Sequence, residues 1–189
     1  MMRLALALLL FLASCGGAPK VNPSESGPCG ALEVDACVSF LDDRGVTKEA
    51  RNDALIAAGE ARMKLDAPEH AIPFYDAILD RDQKNVVAHE KSAAALVALA
   101  ENFGSTYNEI DTIFARGYYV LAGKEYVKAI EIDPTRQENY LAAVTAFLKG
   151  NDNRCHRSRL VRADHEERFG STDDQIKMVE LIKKECLML

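Results

Sequence analysis

The stretches AIPFYDAILDRDQ, Ala71 to Gln83, and AGKEYVKAIEIDP, Ala122 to Pro134, decide how this 189-residue chain is read. Each opens on Ala, sets Tyr four residues later, follows with a small or apolar residue three further on, and then reaches Asp. Spacings of three and four bring side chains onto one face of a helix, where small residues let a second helix approach and an aromatic ring fills the gap beside it. Outward from these segments the pattern persists. Almost everything after Ala31 is rich in Ala, Leu, Glu and Lys with the same periodicity, and no alternating β-branched run interrupts it. The sequence predicts an all-α protein in which one helical unit recurs.

The Ala-x3-Tyr spacing and the closing Pro134 resemble the second helix of the tetratricopeptide repeat. Counting back from Ala71 places Leu55, Ala58 and Gly59 at that family's first-helix core positions. Counting forward from Pro134 starts a third unit near Gln137, with Tyr140, Ala143, Val144 and Phe147 in its first helix and His156, Leu160 and Ala163 in its second. The two clear motifs lie 51 residues apart, one repeat of about 34 with 17 more. Val86 to Glu101 is therefore read as the middle unit's first helix, with an insertion around Asn102 to Asp111 and a lengthened second helix after it. The resemblance covers about residues 52–169 and implies a short solenoid of three units, about the number a shared core requires. Capping helices are expected within residues 29–51, from Ala31 to Asp42, and within residues 170–189, from Thr172 to Cys186. Gly170 stops the preceding helix, Ser171 with Asp174 reads as a capping box, and Ile176, Val179 and Ile182 are expected to face the stack.

In tetratricopeptide proteins the first helices line a concave face that binds peptides. The resemblance places Asp53, Ile56, Ala57, Glu60, Met63 and Lys64 on that face from the first unit. Val87, Glu90, Lys91, Ala94, Val97 and Ala98 follow from the second, and Glu138, Leu141, Ala142, Thr145, Leu148 and Lys149 from the third. The Lys, Asn and Arg clamp that family members use on a carboxylate is missing. What remains is small and largely apolar, and suits an amphipathic helix or extended apolar segment of another protein, unless the chain's own ends fill it.

The amino-terminal stretch carries a different message. Arg3 is followed by the apolar run Leu4 to Leu12, long enough for a secretory signal and well short of the roughly 20 residues that span a bilayer. Leu12-Ala13-Ser14-Cys15 resembles the bacterial lipobox, which implies cleavage after residue 14, a diacylglyceryl thioether on Cys15 and an acylated amino terminus. Each buried methylene contributes about 0.8 kcal/mol and two or more chains hold stably, so such a cysteine replaces a membrane helix. Residues 16–28, GGAPKVNPSESGP, have the composition of a tether reaching roughly 45 Å when extended. Gly16 rather than Asp after the cysteine leans toward the outer membrane, facing the periplasm.

A formal charge of −6, dispersed along the chain, argues against nucleic acid and against an electrostatic grip on anionic lipid. Cys29, Cys37, Cys155 and Cys186 are even in number and, after export, are expected as disulfides. Three pairings are open to them, and local pairs fit the helical reading best. A metal site from Cys155, His156, His165 and Cys186 is the rival, against which stands the lack of paired C-x-x-C or H-x-x-x-H spacing. Nucleophile elbow, P-loop, zinc-protease and glycine-rich nucleotide motifs are all missing, so no catalytic residue, metal or cofactor is expected. His70 and His89 read as solvated or satisfied in the core, and Arg154, Arg157, Arg159 and Arg162 as a salt-bridged face or a local basic patch. Together these features predict an envelope lipoprotein that holds a scaffold for another envelope protein or peptide. The alternative is a periplasmic enzyme or small-ligand-binding lipoprotein whose site leaves no motif.

Overall fold

The computed structural model describes Cys29 and residues 32–105, 108–151 and 155–186; Cys15, the signal and the tether lie outside them. The described residues form eight α-helices and no strand: α1 Val34–Asp43, α2 Lys48–Lys64, α3 Pro68–Leu79, α4 Val86–Gly104, α5 Glu109–Ile132, α6 Glu138–Lys149, α7 His156–Phe169 and α8 Asp173–Cys186. Their starts are written in short polar side chains. Thr47 Oγ1 accepts from the Ala50 amide at 3.2 Å, Asn85 Oδ1 from Ala88 at 3.0 Å, and Asn108 Oδ1 from Ile110 at 3.0 Å, each satisfying an amide that has no partner within its helix. Pro68 opens α3, where its missing N–H costs nothing.

From α2 to α8 each helix packs on the next, α2 also touches α4, α6 meets α8, and α1 lies against α3. Three hairpins, α2–α3, α4–α5 and α6–α7, therefore stack in sequence order as in a helical repeat. The core follows one register. Leu55, Ala58, Gly59 and Arg62 are buried in α2; His89, Ser92, Ala93 and Leu96, each 34 residues later, are buried in α4; Tyr140, Ala143, Val144 and Phe147 are buried in α6. Ala71, Ala122 and Ala129 are 0% exposed between helices, and Tyr75 is also fully buried. Burying a side chain of Leu, Phe or Tyr size contributes about 1.5–3 kcal/mol, so these stacked layers supply the main driving force.

Two disulfides staple the ends. Cys29 joins Cys37 with Cα atoms 5.1 Å apart, and Cys155 joins Cys186 at 6.2 Å. Both are the local pairs, and the bond between Cys155 and Cys186 removes them as thiolate ligands for a metal. Arg62, 2% exposed, extends the first staple: Nη2 donates to the Leu32 carbonyl at 2.7 Å, Nη1 to the Ala58 carbonyl at 3.2 Å, and the guanidinium sits 4.5 Å over Phe74. Burial pulls its pKa down, and Glu33 opposes that shift.

Several expectations are corrected. Within the segment read as an insertion, α4 runs on to Gly104 and α5 begins at Glu109. In α7, His156, Leu160 and Ala163 are exposed; Ser158 and His165 are the buried residues, a shift of two positions in a helix that follows Cys155, whose φ is 74°. The cap of α8 is Thr172, whose Oγ1 accepts from the Gln175 amide at 3.2 Å, not a box of Ser171 and Asp174. Met178 and Ile182 are buried against α6 and Val179 is half-buried, whereas Ile176 is 51% exposed on the opposite side.

Candidate functional site

The buried register of the first helices leaves a second register outside it. In α2 these residues are Asp53, Ile56, Ala57, Glu60, Met63 and Lys64; in α4, Val87, Glu90, Lys91, Ala94, Val97 and Ala98; in α6, Glu138, Leu141, Ala142, Thr145, Leu148 and Lys149. None of them is buried, and Ala94 is open to solvent between Ala93 and Ala95, both 0% exposed. Their polar members cross-link neighbouring first helices. Lys91 on α4 pairs with Glu60 on α2. Glu90 accepts from Arg136 Nη1 at 2.7 Å and from Asn139 Nδ2 at 2.8 Å, and Lys149 on α6 donates to Glu101 Oε1 on α4 at 3.2 Å. Glu90 is therefore already occupied as a strut, and Thr145 donates to the Leu141 carbonyl at 2.8 Å. Met63, Val97, Leu141 and Leu148 each lean one side against the core beneath. Between the struts the face is apolar.

A cavity lies elsewhere, an open cleft of about 700 Å³ between α3, the start of α4 and α5. Asp76, Asp80, Gln83, Glu125, Lys128 and Glu131 line it with His89, which is 4% exposed. Both ring nitrogens of His89 face acceptors, Nδ1 meeting Glu125 Oε2 at 2.7 Å and Nε2 the Gln83 carbonyl at 3.0 Å. Loss of water in the cleft pushes the Asp76 carboxyl up, and the nearby Glu125 and Asp80 add to the shift. Among the described residues that line it, the cleft offers carboxylates and a held imidazole. The reading of His89 as a satisfied core residue matches this position. Glu125 and Asp76 were not singled out, although Asp76 and Asp80 share an i, i+4 face; the sequence does not say that this face meets α5.

Two smaller cavities, about 310 and 490 Å³, run between α5 and α7 over Val127, Leu160 and Val161. The expected basic patch on α7 is partly spent there. Arg162 pairs with Glu166, Arg168 with Asp164, and Arg157 lies 5.7 Å from the Phe147 ring centroid, while Arg154 is outside the described residues. His70 is near Glu69 at the surface. No helix among the described residues is long and apolar enough to cross a membrane. A search of protein-family models and of curated proteins finds no match to this chain.

Proposed function

We propose that the chain is a bacterial envelope lipoprotein, anchored through Cys15, whose tetratricopeptide-like repeats bind an apolar segment of another envelope protein and so serve assembly rather than catalysis. The observation that supports this most is the alternation within α2, α4 and α6. The positions that the resemblance assigns to the core are buried in all three helices, and those it assigns to the concave face are not. The same spacing of buried and unburied positions in all three helices is what a stacked repeat requires of its first helices.

A photo-crosslinking residue at Ala94 in cells is the direct test. Adducts with one envelope protein are expected there and not at Ile176 on α8, and Ala142→Arg should abolish them. Cys15→Ala should release the protein from membranes or block its processing; a processed variant that still needs detergent for extraction would remove the anchor from the proposal.

The cleft around His89 favours a second reading, a binding site for a small cationic molecule among Asp76, Asp80, Glu125 and Glu131. Diamines or polyamines should then raise the unfolding temperature of the protein, and Asp80→Asn should cancel that rise. No shift with any such ligand would leave the cleft without a role in binding.

A further inference from the structure

The lengthened helix α5 carries four of the seven exposed large apolar side chains among the described residues. Ile110, Ile113, Phe114 and Leu121 are 60%, 66%, 52% and 45% exposed. Their spacing sets them on one face of α5, opposite Ala115 and Ala122, which are buried against α4 and its neighbours. In the middle of that face stands Gly117. Glycine inside a helix costs about 1 kcal/mol relative to alanine, and the other mid-helix glycines have a reason within the chain: a Cβ on Gly59 would strike Tyr75, and one on Gly123 would strike Phe147. A Cβ on Gly117 would meet nothing within 4 Å. Among the described residues nothing gives it a packing reason.

We infer that two copies of this chain pair antiparallel through the amino-terminal half of α5, with Phe114 of each copy seated over Gly117 of the other. Phe114 is pre-set for the task, its ring 5.9 Å from Phe103, which in turn stacks on Tyr118 at 5.6 Å. Charge selects a second copy as the occupant. Glu109 and Lys124 bracket the stripe about 22 Å apart along the axis and about 60° apart around it, so they share a flank. A two-fold axis near Gly117 lays Glu109 of each copy beside Lys124 of the other, and neither residue has an ion-pair partner within the described part of its own chain. Glu109 and Asp111 at the same tip oppose the alternative of insertion into a bilayer. One helix face of this length is smaller than the roughly 1,200–2,000 Å² of stable complexes, so the pair is weak and reversible.

The test uses the full chain in cells, as two co-expressed copies with different tags and a photo-crosslinking phenylalanine analogue at position 114. The expected product has twice the chain's mass and carries both tags. Gly117→Glu should abolish it without disturbing export or protease resistance, because its side chain enters open space. Glu109→Lys and Lys124→Glu should each reduce it by about tenfold, since the two-fold applies every reversal twice, and the double variant should restore it. No adduct, an adduct with another protein or with lipid, or a dimer indifferent to Gly117→Glu and to charge reversal would overturn the inference. The Ala94 probe reports on a different face, so either result can fail alone.

Discussion

Gly59 and Gly117 both stand in the middle of helices, and the same substitution should move stability in opposite directions. A Cβ on Gly59 would lie 2.6 Å from Cε1 and Cζ of Tyr75, a ring that is itself fully buried and cannot retreat. Overpacking of this kind costs about 1–3 kcal/mol, more than the roughly 1 kcal/mol that alanine gains over glycine in a helix. Gly59→Ala should therefore lower the unfolding free energy by up to about 2 kcal/mol, and Gly123→Ala, whose Cβ would meet the Phe147 ring at 2.6 Å, should do the same. Gly117→Ala should raise it by about 0.5–1 kcal/mol, because only the propensity term operates there. Denaturant titration of dilute protein measures all three. Equal responses from Gly59 and Gly117 would mean that the helix contact at Tyr75 is looser than the structure has it.

At the scale of elements, the ends of the stack are held by specific links more than by area. Helix α7 buries little besides Ser158 and His165, and α8 closes it with Met178, Ile182 and the Cys155–Cys186 bridge. A disulfide closing a loop of this size contributes about 2–4 kcal/mol, so reduction should strip hydrogen-exchange protection from α7 and α8 first and leave α4 and α5 protected. Uniform loss along the chain would contradict that order. At the other end, Asp42 joins α1 to α2 and to the turn after α3 by accepting from Arg51 and, with both oxygens, from Arg81. The hydrogen bond from Arg81 holds the Asp42 carboxyl below its ordinary value, and Arg51 adds to it. A depressed acid stabilises the fold fully above its unfolded pKa near 3.8, and this contribution fades as pH falls below that value. Asp42→Asn should therefore weaken stability at neutral pH while making acid unfolding less steep, which circular dichroism from pH 7 to pH 2 would read. The sequence made the first helices legible because Leu55, Gly59, Tyr140 and Phe147 have sizes that only one register packs. It did not make α7 legible, because His156, Leu160 and Ala163 looked like a weak copy of the motif while the residues that enter the core, Ser158 and His165, are polar and give no apolar signal. On α8 the expectation fails only at Ile176: Met178 and Ile176 are equally apolar, and only the direction of α6 chooses between them.

At the scale of the whole molecule, a stack of hairpins turns one helix face inward and leaves the next face available, and α4 puts both on adjacent residues. Ala93 and Ala95 are 0% exposed and Ala94 between them is open. Ala95→Glu would bury a carboxylate with no partner designed for it, a cost of several kcal/mol against a total stability of about 5–15 kcal/mol, and the stack should unfold. Ala71 and Ala129, also 0% exposed, should behave in the same way. Ala94→Glu places the same charge in water, where surface substitutions stay within about 0.5 kcal/mol, so the unfolding midpoint should hardly move. Its effect belongs to the complex instead: an apolar segment docking on this face would have to desolvate the new carboxylate, which weakens binding by orders of magnitude. The informative result is thus a pair of measurements on one variant, an unchanged midpoint together with lost capture at the α2–α4–α6 face. If Ala94→Glu unfolds like Ala95→Glu, that face is covered by the chain itself and offers no groove. If it folds and capture persists, the partner contacts another surface.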